Sequence, residues 1–161
     1  MEPFYRILNI IYMSYIGIYL HIVFVTRHRT NCIIPEKEHI LFKYIWEVLK
    51  SKKVELIRMN AALNHIHMLV KMPPDITIAD LVRDIKRSSS IMIKTSLGLP
   101  GFDGWAREYA AISVSPNALD AVINYIINQK EHHKVVPMLD EYRSMLCSDK
   151  SQRLSPDWFD Q

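Results

Sequence analysis

Asn64-His65-Ile66-His67-Met68-Leu69-Val70-Lys71-Met72 is the stretch whose reading decides the fold. Strand geometry sends alternate side chains to opposite faces, so His65 and His67 stand side by side on one face. Ile66, Met68 and Val70 then point the other way, into a core. Pro73-Pro74 cannot continue a ladder and ends the strand. Two adjacent imidazoles on an exposed sheet face are half of a metal site, needing one or two further ligands. They are equally two surface histidines on an antiparallel strand.

Working outward, residues 54–59 read as the preceding strand, joined to this one by a short connection at residues 60–64. Before it, Ile40, Leu41, Tyr44, Ile45 and Leu49 recur at helical spacing behind Pro35, a favoured first-turn residue. The first strand falls at residues 15–26, with Leu20, Ile22 and Phe24 alternating against Tyr19, His21 and Val23. A basic turn follows at residues 27–31. Downstream, Thr77 is an N-cap, with Asp80 three residues on, for a helix carrying Ile78, Leu81, Val82 and Ile85. Residues 97–101 turn the chain back, residues 107–114 alternate as a fourth strand, and Ser115-Pro116 opens a helix running to about His133. Residues 138–145 read as a last short helix. The order β-α-β-β-α-β, with right-handed crossovers, closes most simply as an α+β ferredoxin-like sandwich. Its four-stranded antiparallel sheet carries two helices on one face, and the additional C-terminal helix follows the fourth strand.

Composition sets the limits. The chain has 161 residues, and 20 Lys+Arg against 17 Asp+Glu give a net charge of +3. A hydrophobic fraction of 49% with 23% charged residues is that of one globular domain and argues against disorder. The 2 Cys, Cys32 and Cys147, form no C-x-x-C unit, which excludes a disulfide scaffold or a Cys-based zinc site and suits a reducing cytosol. Residues 7–25 carry no formal charge and are long enough to span a bilayer. Asn9, Ser14, Gly17 and His21 interrupt that run, however. Its second half is β-branched and aromatic, so it reads as a strand and no membrane segment is expected. Residues 1–12 read as an N-terminal extension, 13–150 as a single domain and 151–161 as a tail.

Three further groups carry chemistry. Leu119, Val122, Ile123, Ile126 and Ile127 define the apolar stripe of the last long helix. At ~100° per residue, Tyr125 lies roughly 130° and Gln129 roughly 90° from its centre, both on one flank. Tyr125 is there either a packing or dimer-contact residue or a phenol presented to a ligand. His132 and His133 follow on the same helix, as further ligands or as a solvated helix end. Arg27, His28 and Arg29 in the first turn, and Arg83, Lys86, Arg87 and Lys94 on the second helix, suit a phosphate backbone. Trp105 and Tyr109 are candidates to stack on unpaired bases, or are core aromatics. No Walker loop, dinucleotide glycine fingerprint or nucleophile elbow is present.

Taken in order, Leu20-His21-Ile22-Val23-Phe24, Asn64 to Val70, Asp84-Ile85-Lys86-Arg87-Ser88-Ser89, Trp105-Ala106-Arg107-Glu108-Tyr109 and Tyr125-Ile126-Ile127-Asn128-Gln129 resemble one family. It is that of the single-strand DNA tyrosine transposases of small bacterial insertion sequences, a branch of the HUH nuclease superfamily that includes REP-associated relatives. The resemblance spans about residues 13–133. It implies cytoplasmic, metal-dependent, ATP-independent cleavage and rejoining of single-stranded DNA at hairpins. Tyr125 would be the nucleophile, and His65, His67 and Gln129 the ligands of Mg2+ or Mn2+. It also implies a homodimer in which the tyrosine helix can act in trans. The other class open to the same fold is a non-catalytic hairpin-binding or regulatory protein.

Overall fold

The computed structural model describes residues 15–132. The expected extension at residues 1–12, His133, the short helix at residues 138–145 and the tail lie outside the described residues. The elements are β1 (Ile18–Val25), α1 (Pro35–Ser51), β2 (Glu55–Ala62), β3 (His65–Met72), α2 (Ile78–Met92), β4 (Ala110–Val114) and α3 (Leu119–His132). The four strands pair antiparallel throughout, in the order β2-β3-β1-β4. This is the α+β ferredoxin-like arrangement, with β1 and β3 at the centre. The second half of the uncharged run at residues 7–25 is thus a central strand. Among the described residues no helix is long and apolar enough to cross a membrane.

Alternation divides the sheet into two faces. Leu20, Ile22 and Phe24 of β1 and Ile66, Met68 and Val70 of β3 bury against Leu41, Ile45 and Leu49 of α1 and Leu81, Val82 and Ile85 of α2. Each of those side chains removes apolar surface from water and contributes roughly 1.5–3 kcal/mol by full burial. Pro35 stands in the first turn of α1. The Thr77 hydroxyl caps α2 by accepting from Asp80 N at 3.0 Å, satisfying a donor that the first turn would otherwise leave exposed.

Two boundaries differ from the sequence reading, each for a physical reason. The fourth strand starts at Ala110 rather than at residue 107, because the carbonyls of Ala106, Arg107 and Glu108 converge on Lys86 Nζ at 3.0, 3.1 and 2.7 Å. β2 runs on to Ala62, and its register against β3 slips by one residue between Leu56 and Arg58. That bulge at Ile57 has a consequence at the other end of the strand. With an unbroken register, the alternation that aims Leu56 at the core would aim Asn60 there too. The extra residue reverses the alternation, so Asn60 pairs opposite His67 on the histidine face.

The sheet's second face is not left open. α3 lies over β2 and β3, held by Asn60 Nδ2, which donates to the carbonyls of Ile126 (2.8 Å) and Ile127 (3.3 Å). An ion pair of 2.6 Å between Lys130 and the buried carboxylate of Glu38 ties the same helix to α1.

Candidate metal centre and nucleophile

Beneath α3 four rings gather. His65 and His67 have ring centroids 5.0 Å apart, and His21 of β1 lies 5.1 Å from His67. The Tyr125 ring meets both His67 and His21 edge-on at 5.9 Å. His21 and His67 are diagonal neighbours, since His21 pairs across from Leu69 and Val23 from His67. The two histidines of β3 are therefore not surface residues, as an open face would have made them. His67 is 0% exposed and His65 is buried beside it. What covers them is α3 and the neighbouring rings rather than the hydrocarbon core.

The side chains that orient His65 leave little freedom. Asn64 Oδ1 lies 2.6 Å from His65 Nδ1, and the Gln129 amide lies 2.7 Å from His65 Nε2. An amide oxygen accepts and an amide NH donates, so both bonds are satisfied by one neutral tautomer, protonated on Nδ1 with the lone pair on Nε2. Asn64 is itself anchored. Its Nδ2 donates to Arg29 O at 3.2 Å, and its carbonyl accepts from Thr26 N at 2.8 Å and from the Thr26 hydroxyl at 3.2 Å. The basic turn after β1, where His28 and Arg29 adopt φ of 54° and 53°, is thereby stitched to the residue that aims His65. Burial pushes the His21 imidazole down to about 4, so it is neutral at neutral pH.

α3 is rotated relative to the sequence reading. Its helical stripe placed Ile127 inward and Tyr125 and Gln129 on a flank. In the structure Ile127 is 42% exposed, Gln129 is 0% exposed and Tyr125 is half-buried. The inward edge runs through Ile126, which is buried, with Tyr125 and Gln129 one turn apart beside it. Imidazoles and Asn60 give that helix polar partners on the sheet, which lowers the cost of turning its polar side chains inward.

The donor set fits a divalent cation. Two imidazoles and one amide oxygen suit Mg2+, Mn2+ or a later transition metal, with positions left over for water or phosphate. Among the described residues no three His, Cys, Asp or Glu side chains gather closely enough to hold an ion by themselves. Gln129, the third ligand that the resemblance implies, has its amide against His65 Nε2 and would serve as a donor with its oxygen turned to the ion.

The nucleic-acid candidates are not brought together. Arg27 and Arg29 sit beside the site through Asn64, with Arg27 in an exposed ion pair to Asp103 at 3.0 Å. Arg83, Arg87 and Lys94 are exposed on α2 and the π-helical turn that follows it, across the sheet from the histidines, and Arg83 pairs with Asp80 at 2.6 Å. Two candidates are corrected. Trp105 is 6% exposed, edge-on to Phe24 at 4.8 Å and Phe102 at 5.2 Å, and its indole NH donates to Ser89 Oγ at 2.9 Å. It offers no face to a base. Lys86 spends its ammonium on the three carbonyls before β4, and burial brings it down to about 8, so it acts as a structural clamp and not as a phosphate contact. Sequence reading missed His21, Asn60 and Asn64 as parts of the site. Only His21 left a signal: a polar ring on the outward face of a strand whose inward face is apolar.

The chain is similar to known proteins of one family. The family model for IS200-like transposases matches residues 14–129. The transposase of insertion sequence IS200 from Salmonella typhimurium is 27% identical over 120 residues, covering 71% of this chain and 78% of its own. The ISDra2 transposase TnpA of Deinococcus radiodurans is 22% identical over 116 residues, covering 69% and 83%. Among solved structures, a REP-associated tyrosine transposase bound to a REP hairpin superposes with a TM-score of 0.59 at 17% identity, covering 83% of this chain and 86% of that one. That last likeness is one of fold. The family match over most of the sequence, on a sheet whose outward histidines meet a tyrosine helix, establishes that this chain belongs to the IS200-like transposases.

Proposed function

We propose that the chain cleaves and rejoins single-stranded DNA at hairpin-bearing element ends through a 5′-phosphotyrosine on Tyr125, with Mg2+ or Mn2+ held by His65, His67 and Gln129. One observation carries this reading. Tyr125 and Gln129, one turn apart on α3, lie against His67 and His65 in a single side-chain cluster. The cation, when bound, polarises the scissile phosphate and offsets the charge that develops on its oxygens.

The chain's own contribution is placement. A phenol of pKa ~10 is a poor nucleophile in bulk water, so fixing its ring against two imidazoles supplies orientation. Attack by the deprotonated Tyr125 Oη forms the Oη–P bond and breaks the P–O3′ bond, and the departing 3′ oxygen takes up a proton. In the return step a 3′-OH attacks the phosphotyrosine, loses its proton and releases the phenol. One ester bond replaces another each time, so no ATP is consumed. The Arg27–Arg29 turn, adjacent to the site, is the part of the basic surface placed to meet the strand's phosphates. The hairpin bound by the REP-associated neighbour supports a hairpin substrate. Within this chain α3 docks on its own sheet. Membership of the family supports a homodimer, and activity restored by mixing Tyr125→Phe with His65→Ala subunits would show that the helix can act in trans.

The test is a 3′-labelled single-stranded hairpin incubated with the protein and Mn2+ or Mg2+. A denaturant-resistant adduct is expected, lost on chelation and lost in Tyr125→Phe, which should still bind the hairpin. An adduct that persists in Tyr125→Phe overturns the assignment of the nucleophile. Hairpin binding with no adduct under any metal condition points instead to the non-catalytic member of the same fold.

A further inference from the structure

We propose that His21 is a positioning residue for His67: its Nε2 accepts the His67 Nδ1 proton and so commits the Nε2 lone pair of His67 to the cation. The inference rests on the reading of His65 and His67 as ligands and goes beyond it, because His21 belongs to a different strand and is not itself part of the donor set. The two nitrogens are 2.9 Å apart, within the range of a direct hydrogen bond, and both side chains are buried. A neutral imidazole has one ring proton, so whichever nitrogen donates fixes the other as the acceptor. Ligating histidines commonly hand their second ring N–H to a neighbouring acceptor, which sets both tautomer and ring orientation.

The site has the same device twice. Asn64 Oδ1 takes the Nδ1 proton of His65, and His21 stands in the matching position behind His67. The reverse polarity, with His21 donating to His67 Nδ1, would put the proton of His67 on Nε2 and remove it from the donor set. Sheet geometry makes the contact robust. His21 and His67 occupy diagonal positions on hydrogen-bonded central strands, and the flanking Val23 and Leu69 are buried, so water does not compete for the bond. The His21 ring also meets the Tyr125 ring edge-on at 5.9 Å, and one side chain therefore abuts both a ligand and the nucleophile.

Two measurements on the full chain test this. In the metal-free protein, long-range 15N–1H NMR of the imidazoles should show His67 as the Nδ1–H tautomer, with that preference lost in His21→Leu. In titrations with Mn2+ alone, His21→Leu should bind about 10–100-fold more weakly than the wild type. His21→Gln, whose amide oxygen can accept the same proton, should recover most of the affinity. An Nε2–H tautomer of His67 in the wild type overturns the inference whether or not a metal binds. Unchanged Mn2+ affinity in His21→Leu overturns it as well. Failure of the wild type to bind Mn2+ at all, with the Nδ1–H tautomer present and dependent on His21, instead defeats the metal reading and leaves the hydrogen bond standing.

Discussion

Both faces of this sheet bury side chains from water, and they do so by opposite means. Toward α1 and α2, Ile22, Phe24, Ile66 and Met68 are buried in a continuous cluster of apolar side chains. Toward α3, His21, His65, His67 and Gln129 are buried to the same degree, yet they meet one another and the side chains of Asn64 and Tyr125. Burial therefore does not distinguish core from site here. What does is the chemistry of the partners: an apolar side chain gains by leaving water, whereas a polar one is tolerated only where its hydrogen bonds are replaced.

Adjacent residues 65 and 66 offer the sharpest way to break that comparison. Ile66→Ala should destabilise the chain by about 2–5 kcal/mol, as expected for deleting a buried aliphatic group, and leave Mn2+ binding intact in the folded fraction. His65→Ala should do the reverse, abolishing the DNA adduct and Mn2+ binding while the urea midpoint moves much less. Equal loss of stability in the two variants would mean that the histidine face is simply a second core.

A smaller effect is expected at Asn60, which the bulge at Ile57 delivers to the histidine face. Asn60→Ala removes the two bonds to the α3 backbone and should loosen that helix by about 1 kcal/mol. Hydrogen exchange should then quicken in α3 and remain slow in β1 and β3, and adduct formation should slow with it.

The smallest effect belongs to the helix side alone. The hydrogen bond and charge of Lys52 hold the Asp84 carboxyl below the ordinary aspartate value of 3.8, and the Thr77 hydroxyl, with Arg83, does the same for Asp80. Unfolding raises both values, so the unfolded chain binds more protons in that acid window. The stability they contribute is fully present above 3.8 and is lost as pH falls through the lowered values. Asp84→Asn should lower the urea midpoint slightly at neutral pH, where the ion pair is intact, and leave it unchanged in strong acid, where Asp84 is protonated in both states. The acid fall flattens by that same small amount, because the pair is only partly buried. Adduct yield at pH 7 should not change.

How much of this was legible beforehand follows from what periodicity can carry. The alternation of His65, Ile66, His67 and Met68, the helical recurrence in α1 and α2, and the Thr77 cap are properties of single segments, and each was readable from its own residues. Tyr125 and Gln129 were readable as sharing one flank, but their roles came only through resemblance to a family. The inward turn of α3 was not readable, because the most apolar stripe of an isolated helix gives no account of a sheet that offers imidazoles. Trp105 and Lys86 were misassigned for a related reason. An indole or an ammonium has the same appearance in sequence whether it meets a nucleotide, Ser89 or a trio of carbonyls.

The sequence by itself determined the order of elements, hence the antiparallel sheet, and which face of β3 would carry histidines, because strand alternation is local and strict. Only the tertiary structure decided that the bulge at Ile57 turns Asn60 toward those histidines, that α3 closes over them with Gln129 inward, and that His21 stands behind His67. Register and docking are agreements between segments distant in the chain, and their free energy exists only once both partners are in place.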